Sequence, residues 1–286
     1  MIREQDSGRD ARRAAGRKGI ATMEGFWIFP LLGAIAGVLA GLLGIGGGLV
    51  LVAALVWILP LQGVPKEAAM HAALASSMAS IVLTAASSAY AHHRRGSVLW
   101  PTVAWMVPGL LLGGWLGSLL AVHLGDNVLR LFVAGYCYLA AAQLVWGKVK
   151  AQAGGDVRPS GLPMSAAGVG IGAVSAVVGI GGGSMTVPLL VWRGVAPVRA
   201  VGTSSACGIA IGIGSALGYA LHAPSGALPA NAIGYVYLPA AIGVAVASVL
   251  AAPFGTKLAH AISGTALKRV FAIFLAVMGT SLLFGG

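Results

Sequence analysis

The sequence predicts an all-α polytopic membrane protein built from two similar halves, and three observations carry that prediction. The 286-residue chain is 58% hydrophobic and only 9% charged, against about 25% charged residues in an average soluble domain. Apolar stretches long enough for a helix to cross the roughly 30 Å hydrocarbon layer recur from Phe26 to the C-terminus. The pentapeptide GIGGG occurs inside two of them, at 44–48 and again at 179–183. Hydrocarbon offers backbone groups no partner, so only helices or a closed barrel can span it. The stretches lack the alternation of barrel strands, which leaves helices.

The apolar segments are 26–60, 70–91, 98–122 and 127–147, then 162–192, 200–221, 231–255 and 268–285. Residues 1–22 read as a disordered basic tail rather than a signal peptide, because the hydrophobic segment after it has a counterpart later in the chain. Residues 23–147 form the first transmembrane repeat, and 162–286 the second. Between them, 148–161 (KVKAQAGGDVRPSG) is a polar, cytoplasmic linker rich in glycine and charge.

The match between halves extends beyond GIGGG. In each half the motif leads into an apolar run ending at Trp57 or Trp192, a turn with Pro65 or Pro197, and a helix opening with small hydroxylated residues. Ala75, Ser76 and Ser77 thereby correspond to Gly202, Thr203 and Ser204. Segments 26–60 and 162–192 are too long for one span at 1.5 Å per residue. A break is expected in each, at the glycines, and glycine-interrupted segments at matched positions of two halves are the strongest sequence pointer to a transporter binding site.

Loop charge sets the relation between the halves. AHHRRGS (91–97) is basic while its counterpart HAPSGALPAN (222–231) has no Lys or Arg. HLGDN (123–127) has none either, while its counterpart carries Lys257, Lys268 and Arg269. A positive-inside bias that changes sides between halves predicts an inverted repeat, with each broken segment dipping in and returning. That topology places the tail outside, against its six Lys and Arg.

A glycine-rich turn before a half-helix lets several N–H groups converge on one point, and the helix N-terminus adds partial positive charge. Such a cradle holds an oxyanion without burying a lysine. The residues expected to bind substrate are Gly46, Gly47, Gly48, Ser76 and Ser77 in the first half. In the second they are Gly181, Gly182, Gly183, Ser184, Thr203, Ser204 and Ser205. Hydroxyl and amide donors suit sulfite, a sulfonate or a carboxylate better than Na⁺, which needs oxygen acceptors. Gly33, Gly37 and Gly41, like Gly109, Gly113 and Gly117, repeat every fourth residue and read as helix-packing faces.

Other functions find less support. Every Asp and Glu lies in the tail or near a loop, so no carboxylate is expected in mid-membrane to relay protons or hold a cation. His71 and His222 read as satisfied imidazoles near segment ends, Arg94 and Arg95 as anchors of the cytoplasmic face, and Arg199 as a snorkelling residue or an attractor of anions. Cys137 and Cys207 read as small buried hydrophobes. No metal or cofactor motif appears, and neither HExxH, GxSxG nor a Walker pattern points to an enzyme. The net charge of +11 sits in loops and tail rather than in a stripe with interleaved aromatics, which argues against nucleic acid. An anion channel remains the alternative, as does a permease for a small carboxylate without sulfur.

The paired GLLGIGGG and AVVGIGGGSMTVPLL, the hydroxylated VRAVGTSSA (198–206) and SSAYAHHRRGSV (87–98) resemble the sulfite exporter TauE/SafE family, over nearly the whole chain after Met23. The resemblance implies a multi-pass permease of the bacterial inner membrane with seven or eight helices. It implies a substrate among sulfite, sulfonates such as sulfoacetate and related sulfur-containing anions, exported by many members and imported by some. The partners expected are that small anion and the lipid bilayer, with a homodimer left open. The first half departs from the family pattern in having LASSM where a Gly-Thr-Ser-like element is usual, which predicts unequal half-sites.

Overall fold

The computed structural model describes residues 27–43, 47–146, 157–259 and 264–284, and among them the chain forms ten α-helices and one two-stranded hairpin. The first half contributes α1 (Ile28–Leu43), α2 (Gly48–Leu61), α3 (Ala69–Arg94), α4 (Trp100–His123) and α5 (Asp126–Trp146). The second contributes α6 (Leu162–Val178), α7 (Gly183–Trp192), α8 (Pro197–Leu221), α9 (Leu238–Ala259) and α10 (Gly264–Phe284). The second long segment is broken at its GIGGG, and in the first the left-handed Gly47 marks the expected break, with Gly44, Ile45 and Gly46 outside the described residues. Among the described residues, three helical stretches are long and apolar enough to cross a membrane, Lys66–Arg94 (a 3₁₀ turn continued by α3), Trp100–His123 and Pro197–Leu221.

Helix packing follows the glycines. With no hydrophobic drive between helices in lipid, association depends on close backbone approach, which small residues permit. A Cβ on Gly109, Gly113 or Gly117 of α4 would overlap the backbone of Ser165, Val169 or Ala173 on α6. Gly33 and Gly37 of α1 stand in the same way against Val244 and Ser248 of α9. These five residues are therefore the packing faces that their spacing predicted.

The main pairings are α1 with α9, α4 with α6, α3 with α8, α5 with α10, α4 with α8, α2 with α3, α3 with α9 and α7 with α8. Exchanging the halves, α1 for α6 through α5 for α10, maps this set onto itself. The running sense is legible in the contacts. Along α4 and α6, and along α1 and α9, residue numbers rise together. Along α3 and α8 they run oppositely: Met78 and Val82 meet Gly212, Ala85 meets Gly208, Ser88 meets Ser205, and His92 meets Gly202.

Each broken segment turns back. Arg193, just past α7, reaches Met164 in the first turn of α6, Nη1 to Sδ 3.8 Å. Helix α2 starts at Gly48 against Ile81, about half-way along α3, and ends shortly before α3 begins. Arg94, Arg95, Arg158, Arg193 and Arg199 consequently gather at one end of the molecule, where α3 finishes and α4, α6 and α8 start. The opposite end holds the starts of α1, α3, α5 and α9.

One element went unforeseen. The segment expected to be helical from 231 begins as a hairpin, β1 (Ala232–Ile233) paired antiparallel to β2 (Val236–Tyr237), and only then becomes α9 at Leu238. Gly234, first of the two loop residues, has φ 57°, which suits a two-residue hairpin turn. A Cβ there would also overlap the carbonyl oxygen of Ala220.

Candidate functional site

The two breaks share a backbone solution. Helix α2 is capped by Gly47 at φ 61°, ψ −4°, and α7 by Gly182 at φ 75°, ψ −7°, both left-handed and both without a side-chain hydrogen bond. That conformation is costly for any residue with a Cβ, which is why glycine occupies both caps. In α7 the first amides to bond backwards are those of Met185 and Thr186, to the carbonyl oxygen of Gly182 at 3.1 and 2.8 Å. The amides of Gly183 and Ser184 precede them and have no acceptor within the helix.

The breaks also lie against each other. A Cβ on Gly48 would overlap the carbonyl oxygen of Gly179 and would lie 3.1 Å from Ile81 Cδ1. Ser77 of α3 joins them, its hydroxyl 3.3 Å from the carbonyl oxygen of Gly179 and 3.5 Å from that of Gly48. A Cβ on Gly208 of α8 would come within 3.1 Å of the carbonyl oxygen of Gly181. Segments 135 positions apart in sequence thus meet in the middle of the bundle.

The hydroxyls predicted for the site divide into committed and uncommitted groups. Ser76 Oγ accepts the N–H of Tyr237 at 3.0 Å, Thr203 Oγ1 accepts that of Leu99 at 3.0 Å, and Ser205 pairs with Ser88. These three hydroxyls secure neighbouring elements. Ser184 pairs with the Tyr136 hydroxyl. Ser204 is 2% exposed and its Oγ has no partner among the described residues. It lies one turn before Gly208 on the same face of α8. Gly46 lies outside the described residues.

A residue missed by sequence reasoning is Thr186. Its side chain is fully buried, its hydroxyl has no partner among the described residues, and it lies 3.5 Å from where a Gly182 Cβ would be. Its signal was its place one turn into the half-helix, where a hydroxyl can face back toward the cap. Ser175 Oγ, at the end of α6, is likewise buried and unpartnered among the described residues. At the arginine end, a cavity of about 370 Å³ is lined by Ala91, Arg94 and Arg95. Cys137 and Cys207 are buried and free, and His222 has its Nδ1 3.0 Å from the carbonyl oxygen of Gly218.

Apolar helices packed through bare glycine, with two broken segments meeting inside the bundle, define a multi-pass helical membrane protein with an internal polar centre. The family model described as sulfite exporter TauE/SafE matches residues 29–282, and the chain belongs to that family. It is 35% identical over 254 residues to a probable membrane transporter protein of Haemophilus influenzae, covering 88% of this chain and 96% of that one. Probable membrane transporter proteins of Methanocaldococcus jannaschii and Bacillus subtilis are 26% and 25% identical, covering 90% and 87% of this chain and 96% and 97% of theirs. No solved structure matches the chain.

Proposed function

We propose that this protein is a secondary transporter that exports small sulfur oxyanions, sulfite or organosulfonates such as sulfoacetate, across the bacterial inner membrane. The observation that carries the reading is the second break. There the start of α7, capped by Gly182 without a side-chain hydrogen bond, carries the amides of Gly183 and Ser184 and, one turn on, the buried Thr186 hydroxyl, with Ser204 on the adjoining helix. Donors that are desolvated and have no acceptor are costly, and an anion supplies the missing acceptor. The family's description and its relatives' names support transport as the activity.

The same reading takes the halves as an inverted repeat. Matched helices α3 and α8 run in opposite senses, as an exchange axis lying in the membrane plane requires. The five arginines gathered at one end mark that face as cytoplasmic by the positive-inside bias. The cavity beside Arg94 and Arg95 would then be an electropositive approach from the cytoplasm. Repeats at 23–147 and 162–286 joined by a cytoplasmic linker follow from the same arrangement.

Gly182→Val tests the site. The variant needs a strained φ and drives a side chain into Ile211. It should insert in the membrane yet lose uptake of labelled sulfite in proteoliposomes, whereas undiminished uptake would move the site away from the second break.

A further inference from the structure

A largely buried cluster of His71, Asp126 and Arg130 lies at the end of the molecule opposite the five gathered arginines, and the proposed anion site makes no use of it. The His71 ring, in the first turn of α3, is 5% exposed. Its Nε2 is 3.1 Å from the carbonyl oxygens of both Ala121 and Leu124 at the end of α4. A carbonyl oxygen only accepts, so the hydrogen-bond network assigns the proton of the neutral ring to Nε2. That leaves Nδ1 bare. It has no hydrogen-bond partner among the described residues and faces Asp126 Oδ1 across 3.9 Å.

Two acceptors confront each other there in a mostly dry setting. Asp126 is held in place by its other contacts: Oδ1 accepts the N–H of Met70 at 3.0 Å and Oδ2 accepts Arg130 Nε–H at 2.8 Å. Tyr235 stacks on the imidazole, centroids 4.9 Å apart. Burial first, and then the charge of Asp126, push the Tyr235 phenol upward, so it remains neutral. The other charged or titratable groups nearby in the chain, Lys66, Glu67 and His123, are exposed, and His123 is turned to the carbonyl oxygen of Leu119 at 2.8 Å. What the gap between His71 and Asp126 lacks is one hydrogen.

We propose that His71 and Asp126 form a proton-binding site, in which a proton taken from water sits on His71 Nδ1 and bridges to Asp126 Oδ1. Asp126 and Arg130 side chains are each 14% exposed, which gives water an approach. Protonation turns two facing acceptors into a charge-assisted pair, whose usual length of about 2.7–2.9 Å is shorter than the present gap. Proton uptake therefore draws the start of α3 toward the start of α5, and release loosens them. Helix α3 also carries Ser77, which touches both breaks, so the proton acts on the helix that holds the centre together. In the second half the sequence has Val198, without a titratable group, at the position matched to His71.

Two measurements on the full chain in lipid bilayers test this without any transport substrate. Solid-state NMR of ¹⁵N-histidine-labelled protein, with the His71 signals assigned by His71→Gln, should show Nε2 protonated and Nδ1 bare at about pH 8.5, and both nitrogens protonated at about pH 5. A neutral ring protonated at Nδ1, or one that stays neutral to pH 5, would overturn the proposal. Hydrogen exchange of residues 69–74, corrected for the intrinsic rate, should slow by about fivefold on the same acidification. His71→Gln, whose amide still donates to the two carbonyls, should abolish that change, and a retained change would reduce His71 to a structural role. Should His71→Gln fail to fold, Asp126→Asn, which still accepts from Met70, serves for both the assignment and the comparison.

Discussion

The two breaks have one backbone and two chemistries. Gly47 and Gly182 cap their half-helices in the same left-handed conformation. After the glycines, however, the first half reads Leu49, Leu51 and Ala53 where the second reads Ser184, Thr186 and Pro188. Leu49, Leu51 and Ala53 are buried against other apolar residues. Ser184 and Thr186 bring hydroxyls to the corresponding place, and Pro188, lacking an N–H, leaves the carbonyl oxygen of Ser184 without its helical donor. The repeat supplies the kink twice and the polar groups once. The shared glycine cap sets where the two breaks fall, while the side chains that follow it decide which break carries hydroxyls.

The largest effect expected tests the shared part. Gly109→Val on α4 and Gly33→Val on α1 occupy matched packing seams, α4 on α6 and α1 on α9, where a Cβ would overlap a backbone carbonyl. Neither seam can yield without separating helices, so each variant should lose about 3 kcal/mol or more of stability. Thermal unfolding in detergent measures it. Similar losses support equivalent seams, and a tolerated substitution in one alone would break the symmetry at the level of the backbone.

The next effect separates the halves. Thr186→Val removes a buried, unpartnered hydroxyl while keeping the shape, so stability should hold and anion affinity should fall by roughly tenfold, on the order of one lost hydrogen bond. The mirror change, Leu51→Thr, places a hydroxyl where the first half is apolar. It should lower stability by about 2 kcal/mol and leave affinity unchanged. Binding isotherms and unfolding curves on the same pair of proteins check both halves of the statement, and a binding loss in Leu51→Thr would make the first break an equal partner.

Much of this was legible in the sequence, for physical reasons. The length of segments 26–60 and 162–192 against the thickness of a bilayer forced a break, and glycine fixed its place. Four-residue glycine spacing gave the seams at Gly33, Gly37, Gly109, Gly113 and Gly117, because only one helical face carries that period. What stayed hidden was where a hydroxyl points. Ser76, Thr203 and Ser205 have the same local pattern as Ser77 and Ser204, yet Tyr237, Leu99 and Ser88 claim them from elements 161, 104 and 117 residues away. His71 shows the same limit: its sequence neighbours gave no hint of Asp126, which lies at the start of another helix.

The smallest effect expected concerns the matched serines. Ser77 donates to carbonyl oxygens of both breaks, whereas the hydroxyl of Ser204 is buried without a partner among the described residues. Ser77→Ala should therefore cost about 1 kcal/mol of stability, the net worth of an ordinary hydrogen bond, because two carbonyl oxygens lose a shared donor. Ser204→Ala should cost little stability, since it removes a group that is desolvated without compensation, and should show its effect of about 1 kcal/mol in anion affinity instead. The two variants are chemically identical changes at equivalent positions, so any difference between them measures how far the halves have diverged. Equal stability losses with no change in affinity would mean that both serines only brace the breaks, and the ligand would then rest on the α7 amides and Thr186 alone.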